Sequence, residues 1–182
     1  MVLYPKGEFH ESWSLPSRVN GYFDGKLRIP YSGGKVSLET MQPIVTHELT
    51  HAFLHSMNPR SVPEWLGEGL AQWVDGRRMD AKARDALVIF QITKRMPDIP
   101  HLDGVLSAQK NPYNNTEMTL VYMKAFSLVE YLIERYGIWE LLEVVKAFDS
   151  ADSTDRLFRD QFKCGTAEIE ESWLKWIERR KI

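Results

Sequence analysis

Between Met41 and Met57 the chain carries three histidines and a glutamate on a stretch that is otherwise largely apolar, and no other segment constrains the fold as strongly. Ile44, Val45, Leu49, Ala52 and Phe53 recur at the spacing of an amphipathic helix. Thr40 suits the N-cap, and Pro43 then falls in the first turn, where a missing N–H costs little. His47 and His51 are four residues apart and therefore share one helix face. Imidazoles and a carboxylate on a buried helix require partners, and a metal ion is one such partner. The competing reading is a helix with two histidines on its solvated face.

The pentapeptide His47-Glu48-Leu49-Thr50-His51 has the spacing that lets two imidazole nitrogens meet one zinc ion. Glu48, next to the first histidine, is placed to take a proton from a metal-bound water. Tetrahedral zinc then needs a third protein ligand, with water in the fourth position. The candidate is Glu68, within Pro63-Glu64-Trp65-Leu66-Gly67-Glu68-Gly69-Leu70-Ala71, a predicted helix from Pro63 to Gly76. Trp65, Leu66, Leu70, Trp73 and Val74 make that helix apolar, so a carboxylate in its middle is costly unless paired or metal-bound. Gly67 and Gly69 permit close approach of another backbone or of the histidine helix. Glu64 is the rival acid, and it reads as a first-turn residue facing the helix dipole.

These two motifs together resemble the gluzincin zinc metallopeptidases, in the peptidase-MA-like branch, related to aminopeptidase N-type and thermolysin-like catalytic domains. The resemblance implies one zinc ion held by His47, His51 and Glu68, with Glu48 as general base. It also implies a peptide or protein substrate. The thermolysin branch has an aspartate where this chain has Gln72, so the group that orients the histidines is open between Gln72 and Asp75. Tyr122-Met123-Lys124-Ala125 resembles the helix on which aminopeptidase N-type enzymes carry a tyrosine that stabilises the oxyanion, a role that passes to Tyr122. The alternative for Tyr122 is a core aromatic with a satisfied hydroxyl. His55 is about 12 Å along the helix from His47, too far to share the ion easily.

The clearest strand signal runs from Arg18 to Pro30, with Asp24-Gly25 as a type I′ hairpin turn and Pro30 demoting the second strand to an edge. By resemblance, Leu27 to Ile29 would then pair with an extended peptide. The glutamate motif that holds a substrate amino terminus in aminopeptidases has no counterpart, and Asp24 is a poor substitute. Cleavage of internal bonds is therefore slightly favoured over aminopeptidase action. The same machinery also suits a non-peptide amide or ester hydrolase, and a non-catalytic binding module is the rival from another class.

The expected architecture is α+β and predominantly α. A small antiparallel β region over residues 1–38, with its edge strand on the helical core, precedes a helical part over 39–182. Helices are expected over Asp80–Arg95, Thr116–Tyr136, Ile138–Asp149 and Thr154–Lys163 and from Thr166 onward, with a loop from Met96 to Asn115. At 182 residues and 43% hydrophobic, the chain suits one catalytic domain, or an excerpt of a longer protein. A net charge of -2 offers no basis for nucleic-acid binding. No segment is long and apolar enough to span a bilayer. Cys164 is the lone cysteine, so nothing fixes the redox compartment, and an extracytoplasmic setting is compatible if a signal has been removed.

Overall fold

The structure is a computed structural model that describes residues 2–13, 21–31, 38–58, 62–107 and 113–180. Arg18, where the strand signal begins, and residues 108–112 of the expected loop lie outside the described residues. The elements in chain order are β1 (Val2–Pro5), α1 (Lys6–Trp13), β2 (Tyr22–Phe23), β3 (Leu27–Tyr31), α2 (Leu38–Met57), α3 (Glu64–Val74) and α4 (Ala81–Ile92). They continue as α5 (Ile99–Leu106), α6 (Asn115–Tyr136), α7 (Ile138–Ala147), a short 3-10 turn (Phe148–Ser150), α8 (Thr154–Phe162) and α9 (Thr166–Arg179). The chain is thus α+β and predominantly α, as expected.

The β region is mixed rather than antiparallel. β2 and β3 form the expected antiparallel hairpin, with Tyr22 opposite Arg28, but β1 adds in parallel on the other side of β3. The order β1-β3-β2 makes β3 the central strand. Within Leu27 to Ile29 only Arg28 is paired on both sides, since β2 faces Leu27 and Arg28 while β1 faces Arg28 and Ile29. A parallel partner from the chain start carries no local turn signature, because it needs a long crossover and not a hairpin. Pro30 is accommodated because β2 is only two residues long and ends opposite Arg28. The turn also differs: Gly25 has φ +90, while Asp24 is not among the non-glycine residues with positive φ. A three-residue loop with one left-handed glycine replaces the two-residue type I′ turn. Asp24 accepts from Arg28 Nε at 2.9 Å and so braces the hairpin.

Most helix boundaries follow from capping chemistry. Asn114 Oδ1 accepts from the N–H groups of Thr116 and Glu117 at 3.0 Å, and Glu117 accepts from Asn114 N–H in return, which starts α6. Asp98 caps α5 by accepting from His101 N–H, with Pro100 in the first turn, so part of the stretch expected as a loop is helical. α1 is likewise a helix within the part expected to be β-rich. α2 begins at Leu38, so Thr40 lies inside the helix and is not its N-cap.

The core centres on α3 against α6. Trp65, Leu66, Leu70 and Ala71 meet Val121, Ala125, Phe126, Leu128, Val129 and Leu132, all almost fully buried. Gly69 sets their spacing: an added Cβ would lie 2.5 Å from both the Ala125 carbonyl oxygen and Val129 Cγ2. Lys124 is fully buried and ties helices together. Its Nζ donates to Gln91 Oε1 of α4 at 3.0 Å, to the Pro97 carbonyl at 2.6 Å and to the Glu170 carboxylate of α9.

Candidate metal centre

α2 and α3 run antiparallel, so the earlier histidine meets the later end of α3. His47 Nδ1 is 3.0 Å from Asp75 Oδ2 at the C-terminal end of α3, whereas His51 lies against Gly67, where an added Cβ would come 3.7 Å from its Nδ1. A Cβ at Gly67 would make only ordinary van der Waals contact with His51, so of the two glycines flanking Glu68 it is Gly69, against α6, that a close approach requires.

His47 Nε2 is 3.7 Å from Glu68 Oε2, and His51 Nε2 is 3.5 Å from Glu68 Oε1. The ring centroids of the two histidines are 5.0 Å apart and tilted by 69°. One donor atom from each of His47, His51 and Glu68 lies within 4.8 Å of the others. A tetrahedral zinc with bonds of about 2.1 Å needs donors roughly 3.4 Å apart. The spacings to Glu68 match that requirement, and two imidazoles with one carboxylate are a donor set zinc accepts. The Asp75 contact favours the proton on His47 Nδ1, which leaves the Nε2 lone pair facing the cluster.

Glu48 is 6% exposed, and Gly21, just before β2, stands against it: an added Cβ there would lie 2.5 Å from Glu48 Oε1. Burial pushes the Glu48 carboxyl up to about 7, helped by the charge of Glu68 and opposed by that of His51. Burial also lowers His47, the charge of Glu68 working against that fall. His51 is raised: burial acts against its charged form, but its hydrogen bond to Glu68 and the Glu68 charge prevail. Glu68 is lowered in turn, since His51 and His47 outweigh the burial that would raise it. The two histidines are thus pushed in opposite directions, and Glu48 is poised to exchange a proton near neutral pH.

Of the two candidates for orienting a histidine, Asp75 makes the contact and Gln72 does not. Gln72 is 1% exposed and turns towards α6, donating to the Glu68 carbonyl at 3.1 Å and the Tyr122 carbonyl at 3.5 Å. That bond puts Tyr122, half-buried on α6, across from the turn of α3 that follows Glu68. His55 is exposed on the last turn of α2, and His101 pairs with Asp98 at the start of α5. Gly21 had no signal in the sequence, because its place against Glu48 depends on where the hairpin docks.

The family model of the Peptidase MA superfamily matches residues 34–179, a span that holds the His47, His51 and Glu68 cluster, Asp75 and the α6 helix. The chain is also similar to the uncharacterized protein YhcO of Bacillus subtilis (strain 168), 21% identical over 98% of this chain and 58% of that protein. The chain thus spans less than two thirds of that relative's length. No solved structure matches. With the match extending over most of its length, the chain belongs to the Peptidase MA superfamily.

Proposed function

We propose that this chain is a zinc-dependent peptidase that cleaves peptide bonds with a metal-bound water, internal bonds being slightly favoured. The observation that carries the reading is the convergence of His47, His51 and Glu68 donor atoms within 4.8 Å, with buried Glu48 beside them. Zinc held by those three residues would supply a bound water with a pKa near ~7 and would polarise a carbonyl. Glu48 takes a proton from the attacking water and returns it to the leaving amine, and a carboxyl at about 7 suits both directions. Asp75 accepts from His47 Nδ1–H, fixing the ring so that Nε2 faces the site. Tyr122 donates its phenol proton to the developing oxyanion. Gly21, just before β2, leaves room for the Glu48 side chain itself, since an added Cβ there would lie 2.5 Å from Glu48 Oε1.

Elemental analysis and cleavage of a mixed peptide library, on one preparation, test the reading. The parent protein is expected to bind one zinc and cut peptides in preference to small esters. Glu48→Gln should keep its zinc and lose cleavage, while His47→Ala should lose both. Retained cleavage in Glu48→Gln would remove Glu48 from the reaction and with it the mechanism.

A further inference from the structure

We propose that Gln72 is a positioning residue: it ties the backbone of Glu68 to that of Tyr122 and so holds the Tyr122 phenol in place against the metal cluster. The inference rests on the peptidase reading, in which Tyr122 meets the oxyanion. Gln72 follows Glu68 by four residues on α3, so its side chain leaves the same helix face one turn on. Its Nε2 donates to the Glu68 carbonyl at 3.1 Å and, across the helix interface, to the Tyr122 carbonyl at 3.5 Å. One amide group thus touches the backbone of the residue that would hold zinc and of the residue that would meet the oxyanion.

Apolar packing alone does not fix this relation, because it is non-directional. Gly69 sets how closely α3 and α6 approach, not how far one slides along the other. Tyr122 is three residues before Ala125, which meets Gly69, so both lie on the side of α6 that faces α3. A slide of α6 by one residue of helix rise, about 1.5 Å, would carry the Tyr122 phenol the same distance past Glu68. The directional bonds of Gln72 oppose that slide. The amide has one workable orientation, since the reverse would set Oε1 against two carbonyl oxygens. In that orientation Oε1 is buried without a hydrogen-bond partner among the described residues, and Gln72 as a whole is 1% exposed. An unpaired buried acceptor lowers stability, so an apolar residue of the same shape would serve the core better. What the amide adds is direction between two residues of the site, and sites are where stability is given up for function.

Gln72→Met tests this, because it keeps the length of the side chain and removes both the donor and the unpaired acceptor. The metal-free variant should unfold in urea at the parent's midpoint or above it, and a chelator titration should find its zinc affinity unchanged. On a peptide substrate kcat should fall roughly 10–100-fold at constant KM, the scale for misplacing a group that acts in the transition state. A second readout needs no turnover. Zinc-loaded protein is titrated calorimetrically with a phosphinic peptide, whose tetrahedral anion stands in for the oxyanion. Gln72→Met should weaken that binding by the same factor, yet leave binding of the plain peptide to Glu48→Gln protein unchanged. In Tyr122→Phe protein, adding Gln72→Met should weaken phosphinic binding no further. A lowered urea midpoint with equal losses for both ligands overturns the inference in favour of a purely structural tie, and so does a full additional loss in Tyr122→Phe. Unchanged phosphinic binding in Gln72→Met also overturns it and leaves the peptidase reading in place. A zinc-loaded parent that neither cuts peptides nor binds the phosphinic peptide overturns both.

Discussion

Replacing Glu48 by glutamine should stabilise the metal-free protein at mildly alkaline pH, because the carboxylate is held where its charge is costly. Glu48 is 6% exposed, and its carboxyl is raised from 4.5 to about 7, chiefly by burial. Between those values the folded chain keeps a proton that the unfolded chain has released. Stability therefore falls as pH rises through this window and stays lower above it. A gap of about 2.5 pH units, from 7 − 4.5, corresponds to at most about 3 kcal/mol at ~1.4 kcal/mol per unit. Partial solvation of the carboxylate reduces this, so ~1–3 kcal/mol is expected at pH 8. The assay is urea unfolding of chelator-treated protein at pH 5 and pH 8, followed by the fluorescence of the six tryptophans. His47 and His51 titrate in the same range, so the quantity to read is the difference between parent and Glu48→Gln, in which their contributions largely cancel. That difference should grow from pH 5 to pH 8 in favour of the variant, and shrink when zinc is added, since the cation favours the carboxylate. A difference independent of pH, or one that grows in favour of the parent, would refute the claim that burial raises Glu48.

Two further outcomes follow from the packing around the cluster. Asp75→Ala removes the acceptor 3.0 Å from His47 Nδ1 and should weaken zinc affinity by roughly 10–100-fold in a competitive chelator titration, with the fold intact by circular dichroism. Gly69→Ala places a Cβ 2.5 Å from the Ala125 carbonyl, so despite the better helix former it should cost about 1–3 kcal/mol in urea unfolding.

The helices were legible wherever side chains signal to their own backbone. The Asn114 and Glu117 pair marks the start of α6 within one residue, and Ser153 caps α8 by accepting from Arg156 N–H at 3.2 Å. Asp98 and Pro100 carry the same kind of signal for α5, which the proline-rich surroundings masked. The sheet was less legible. β2 and β3 announce themselves through a turn, whereas β1 joins from a distant part of the chain and turns β3 from an edge into the centre. Of the stretch expected to dock a peptide, Leu27 to Ile29, Arg28 is the residue paired on both sides.

At the candidate site, the sequence alone determined the donor types and their helix faces: His47 and His51 four apart, Glu48 beside the first, and Glu68 between two glycines on an apolar helix. These are properties of a 3.6-residue repeat and of residue chemistry, so they survive without knowledge of the fold. Only the tertiary structure decided that Asp75 and not Gln72 meets His47, that Gly21 stands against Glu48, and that Gln72 reaches the Tyr122 carbonyl. Each of those depends on how helices cross and where a hairpin docks. Such geometry is set by the summed packing of α3 on α2 and α6, and no short stretch of sequence encodes it.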